Sequence, residues 1–68
     1  MTTRACWYRL WNAGQPDPWN QGKFHEWGTE MASVGGQYSV GIVEDAWTGA
    51  VHTPMPTDVH FGSDPDSP

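Results

Sequence analysis

The sequence predicts a small all-β domain, and three observations carry that expectation. Gly or Pro interrupts almost every window of about ten residues in which apolar side chains might recur with helical spacing. Cys6–Trp11 is instead rich in β-prone residues, and in Tyr38–Ile42 Tyr38, Val40 and Ile42 alternate with the period of a half-buried strand. Eight Gly and six Pro punctuate these runs, which keeps the strands short.

Taken in order, Cys6–Trp11 reads as a first strand, with Cys6, Tyr8 and Leu10 on one face and Trp7, Arg9 and Trp11 on the other. Asn12–Gly22 contains two Pro and two Gly and is expected to be a loop. Lys23–Met31 reads as a second strand carrying Phe24 and Trp27, and Gly35-Gly36 turns the chain. A third strand runs from Gln37 to Glu44-Asp45. Ala46–Gly49 makes a tight connection, with Gly49 suited to a positive φ, and Ala50–Thr53 returns as the partner strand. Pro54 and Pro56 end that strand because neither can donate to a ladder. A single 3₁₀ turn fits there, and Val59–Phe61 closes the fold. This order is that of a small SH3-like, partly open barrel of about five strands. Residues 1–61 form the single β domain, and 62–68 are expected to be a disordered acidic Pro/Ser tail. The expected core is Tyr8, Leu10, Phe24, Val40, Ile42, Val51, Val59 and Phe61, with Trp27 beside it.

Composition excludes several functions. Three Lys and Arg against eight Asp and Glu give a net charge of -5 over 68 residues. With only Arg4, Arg9 and Lys23 as cations, binding to a nucleic acid polymer is not expected. The longest uncharged apolar run, Val40–Val43, is far shorter than the roughly 20 residues of a membrane span. One cysteine, Cys6, forms no internal disulfide, and with no apolar leader the cytoplasm is the expected compartment. His25, His52 and His60 with Cys6 match no zinc spacing, and each His is explained as a solvent-facing strand residue. No cofactor is expected, and no nucleophile, base and orienter come together in the sequence, so the chain reads as a non-enzyme. The acids are too sparse for a nucleic-acid mimic.

The aromatic surplus is the informative feature. Five Trp exceed what one small barrel can bury, and Trp7, Trp11, Trp19 and Trp47 must in part face a partner or ligand. In Trp7-Tyr8-Arg9-Leu10-Trp11 a guanidinium falls between two indoles on one strand face. A flat π-surface beside a forked donor suits a base that stacks and a phosphate that takes two hydrogen bonds. Lys23, Phe24, His25 and Trp27 form a second such cluster. The competing reading makes Trp7 and Trp11 anchors of a homo-oligomer, dimer or tetramer, and pairs Arg9 with Glu26 or Glu30 on neighbouring strands. Both readings hold together if a ligand sits between subunits.

Four runs carry a resemblance: Lys23-Phe24-His25-Glu26-Trp27-Gly28, Tyr38-Ser39-Val40-Gly41-Ile42-Val43-Glu44-Asp45, Thr48-Gly49-Ala50-Val51-His52 and Pro56-Thr57-Asp58-Val59-His60-Phe61. Over roughly residues 5–61 the chain resembles a group of very short tailed-phage proteins of the anti-CBASS type. The resemblance implies an oligomeric sponge that binds cyclic mono- or dinucleotide signals of antiphage immunity in the infected bacterial host. The Pro- and Trp-rich stretch from Asn12 to Gly22 and the Ala-Trp hairpin tip depart from that pattern. The other expectation is a phage protein that docks on a host protein through an exposed Trp face, as inhibitor or adaptor.

Overall fold

The computed structural model describes residues 3–65. The chain is mostly β: β1 (Arg4–Tyr8), β2 (Trp11–Asn12), β3 (Gln15–Pro16), β4 (Asn20–Met31), β5 (Gln37–Asp45), β6 (Val51–His52) and β7 (Val59–His60). A 3₁₀ turn at Pro56–Asp58, the one helical element among the described residues, precedes β7. Five strands make one antiparallel sheet in the order β6-β5-β4-β1-β7, and β2 and β3 pair as a separate ribbon. The sheet does not close into a barrel, because it ends on the two-residue strands β6 and β7.

Two expectations about the N-terminal third are corrected. The first strand ends at Tyr8, so Arg9 and Trp11 leave the sheet. The stretch expected as a loop, Asn12–Gly22, instead completes the β2–β3 hairpin and begins β4. Ala13 (φ 54°) and Gly14 (φ 78°) supply the two positive-φ residues of a tight hairpin turn, with Asn12 opposite Gln15. Pro16 is tolerated because β3 lies at the edge of a two-stranded ribbon.

On β5 the expected core residue Val40 is buried (2% exposed), while Val43 rather than Ile42 joins the centre of the core. Cys6, Tyr8 and Val43 are its buried centre, with Leu10, Phe24, Val59 and Phe61 packed against them. Val43 is 0% exposed, whereas Ile42 is only half-buried. The register explains this. Phe24 pairs with Val43, then His25 is skipped in a β-bulge and Glu26 pairs with Ile42. The odd residues of β5 therefore face Phe24 and Tyr8, and Ile42 joins Val40 over Gly28 on the other face. On β6 the same parity turns His52 inward to stack on Tyr8 (5.4 Å) and leaves Val51 63% exposed, contrary to both expectations. Trp27 is half exposed at the rim of the core, against Phe24 and Phe61.

The expected tail is held at its start: Gly62 O accepts a bond from Trp7 Nε1 (3.2 Å), and Asp64 and Pro65 are half-buried. Its last residues, 66–68, lie outside the described residues.

Two glycines are required for different reasons. Gly22 is buried, and a Cβ there would lie 2.7 Å from Val43 Cγ1 and 2.9 Å from Tyr8 Cδ1. Gly49 has open space around it but a φ of 76° at the β5–β6 turn. Gly22→Ala is expected to cost about 1–3 kcal/mol through overpacking. Gly49→Val should cost about 1 kcal/mol or more through the backbone alone. Urea unfolding of both variants checks this, and wild-type stability in either would contradict the packing or the turn described.

Candidate ligand-binding site

Arg9 does not stand between Trp7 and Trp11. Past the end of β1 its amide still bonds Asp58 O (3.1 Å), which carries the β1–β7 ladder one residue further. Its guanidinium lies over Trp11 and Trp19, 5.6 and 4.7 Å from the ring centroids. Arg9 Nε donates to Asp58 Oδ1 (2.9 Å), and Trp11 Nε1 donates to Asp58 Oδ2 (2.9 Å). Asp58 is only 4% exposed, so this is a largely desolvated carboxylate with a donor on each oxygen. The expected partners of Arg9 are replaced. Glu30 accepts from Tyr38 instead (3.0 Å), and the partner of Arg9 comes from the 3₁₀ turn. Trp19, whose other neighbour is His60, had no periodic pattern to place it.

A second carboxylate organises the turn between β5 and β6. Asp45 Oδ2 accepts from the Tyr8 hydroxyl, and Oδ1 accepts from the amides of Trp47 and Thr48 (2.8 Å each). These donors, the phenol first, hold the Asp45 carboxyl down at about 2. Burial, together with the same carboxylate, pushes the Tyr8 hydroxyl well above its ordinary value. Burial likewise raises the Cys6 thiol, which leaves it a packing group.

Trp7 and Lys23 are brought together. Arg4, Cys6 and Tyr8 of β1 point to the core face, so Ala5 and Trp7 point outward. Ala5 pairs with Lys23 and Trp7 with Gln21, which puts all four on the outer face of the sheet. There they line a half-open cleft of about 460 Å³, bounded also by Ala46 and Gly62. This volume lies within the roughly 300–1,000 Å³ of small-ligand pockets. The Trp7–Gly62 bond fixes the indole in its wall. Lys23 has no ion-pair partner among the described residues, whereas Arg9 is held by Asp58 and Arg4 lies over Phe61 at 3.9 Å. Small Ala5 and Ala46 side chains keep the cleft open.

The other expected site residues sit elsewhere. Phe24 points to the core face and packs on Trp27 (4.8 Å) and Phe61 (5.1 Å). His25, the bulge residue, reaches Glu44 with Nε2 (3.1 Å). Sequence reasoning therefore grouped three separate places: the Trp7–Lys23 cleft, the Asp58 cluster and the Phe24–Trp27 rim. Asp58 and the two alanines went unnoticed, since neither a lone acid after a proline nor an alanine carries a pattern.

No family model, curated protein or solved structure matches this chain in the comparisons made.

Two tests follow from the carboxylates. Asp45 ionises at about 2 when folded against an ordinary 3.8, so its contribution to stability is complete above about 4 and is lost as the pH falls toward 2. Asp45→Asn should flatten the pH dependence of urea stability across that window, and an unchanged slope would show that Asp45 is not so held. Trp11→Phe keeps an aromatic ring, a smaller one, but withdraws a donor from buried Asp58, at an expected cost of about 1–3 kcal/mol in thermal or urea unfolding.

Proposed function

We propose that the chain is a non-enzymatic binder that sequesters cyclic nucleotide second messengers of bacterial antiphage defence. The observation that supports this most directly is the convergence of Trp7 and Lys23 on one cleft of small-ligand size. A base stacks on the indole, and the ammonium takes the phosphate as a point charge. The other Lys and Arg side chains are engaged, Arg9 by Asp58 and Arg4 by the Phe61 ring, so among the described residues Lys23 is the positive charge each copy offers the ligand. A cyclic dinucleotide carries two phosphates, which favours a homo-oligomer, dimer or tetramer, over a single copy. The net charge of -5 disfavours longer nucleic acids at the same surface. The strand order, with a 3₁₀ turn before the last short strand, supports an SH3-like reading of the fold, and the resemblance to tailed-phage anti-CBASS sponges gives the biological setting, the cytoplasm of an infected host.

A second reading, docking on a host protein as inhibitor or adaptor, draws on Trp47, which is 81% exposed at a hairpin tip.

Calorimetric titration with cyclic mono- and dinucleotides tests the first reading. Trp7→Ala should weaken binding by about 1–3 kcal/mol, the loss of one stacking platform. Lys23→Gln should weaken it by about 1.5–3 kcal/mol and reduce its salt dependence. If wild-type protein binds none of these nucleotides, the sponge reading falls and the host-protein reading replaces it.

A further inference from the structure

The self-association proposed above needs a surface, and the structure offers one that meets the ligand cleft only at Ala46. From Ala46 to Thr57 the sequence contains no Asp, Glu, Lys or Arg, in a chain of net charge -5. This uncharged stretch includes β6, one open edge of the five-stranded sheet. The acids that flank it are turned inward: Asp45 is held by Tyr8 and the turn amides, and Asp58 by Arg9 and Trp11. Glu44, which pairs with Val51 across the ladder, is bonded to His25. Two acidic copies repel one another over most of their surfaces, and here that repulsion is least.

The backbone geometry is self-complementary. Asp45 N bonds Ala50 O and Gly41 N bonds Pro54 O, each at 2.8 Å, while His52 pairs with Val43. The even residues of this segment thus direct their polar groups toward β5. By strand alternation, Val51 and Thr53 direct theirs outward, where they meet no backbone partner among the described residues. Natural sheets blunt such an edge with charged side chains or with Pro. Here Pro54 and Pro56 keep the edge short, no charge guards it, and Val51, Met55 and Trp47 stand 63%, 50% and 81% exposed along it.

We infer that β6 pairs antiparallel with β6 of a second copy of this chain across a twofold axis near His52. Val51 of each copy then faces Thr53 of the other, and the outward amides and carbonyls of both satisfy each other. Trp47 and Met55 flank this short ladder and bury their exposed faces. The two sheets become one continuous sheet, and the interface is isologous. This inference rests on the proposed self-association and is independent of what the cleft binds.

Sedimentation velocity on ligand-free protein at about 50 μM tests it, a concentration that reveals a micromolar dimer. The wild type is expected to sediment as a dimer or a higher even oligomer. Val51→Lys places like charges beside one another at the axis and should weaken association about tenfold or more. Trp47→Ser should weaken it in the same direction, and far-UV circular dichroism should stay that of the wild type in both, since both side chains are exposed. A monomeric wild type, or an oligomer untouched by Val51→Lys, overturns the inference. Calorimetry on the Val51→Lys protein reads the cleft separately, so a failure of the edge interface and a failure of nucleotide binding give different results.

Discussion

The Asp58 carboxylate is the fixed point of this small protein. It is buried, yet it lies in a segment with almost no regular structure of its own, a single 3₁₀ turn between two prolines and a two-residue strand. Leaving such a group without partners would cost several kcal/mol, so the chain must bring donors to it. It brings two from the opposite end of the sequence, Arg9 and Trp11, across 49 and 47 residues. Those bonds tie the segment before the last strand to the end of the first, and join β2 of the ribbon to the 3₁₀ turn. Trp19, just before β4 begins, also lies against the guanidinium, with its ring centroid 4.7 Å away.

That constraint decides which residues are left for a ligand. A chain with three Lys and Arg that gives one to a buried acid and lays another over a phenylalanine ring keeps Lys23 as the positive side chain without an ion pair among the described residues. Strand alternation sets Lys23 beside Trp7 on the outer face, across from the core that Cys6 and Tyr8 build on the inner one. Gly22, sitting between Gln21 and Lys23, lets β4 approach Val43 and Tyr8 closely enough for both faces to form at once. The site and the core are thus two sides of the same short stretch of ladder.

The sequence made some of this legible and hid the rest for physical reasons. The β5–β6 hairpin, the positive φ at Gly49 and the 3₁₀ turn before the last strand were readable because turn chemistry is local. The burial of Val43 in place of Ile42 was not, because the bulge at His25 sits on the partner strand and leaves no mark in β5 itself. Val51 was placed in the core on hydrophobicity alone, although its position on an edge strand, opposite Glu44, exposes it. Trp7 and Lys23 were both singled out as binding residues, but their meeting in one cleft depends on register, which composition does not encode. The pairing of Arg9 with Asp58 was the hardest to read. It joins residues far apart in sequence, and nearer acids in Glu26 and Glu30 offered simpler partners.

The central claim, that Arg9 and Asp58 act as one partly buried unit joining the chain's two ends, is tested most directly by a double-mutant cycle. Urea unfolding of the wild type, Arg9→Met, Asp58→Asn and the double variant gives the coupling between the two side chains. The account predicts a coupling of about 1 kcal/mol or more, with each single variant markedly destabilised. Free-energy changes that add to within about 0.5 kcal/mol would contradict it, and would return Arg9 to the residues free to meet a phosphate.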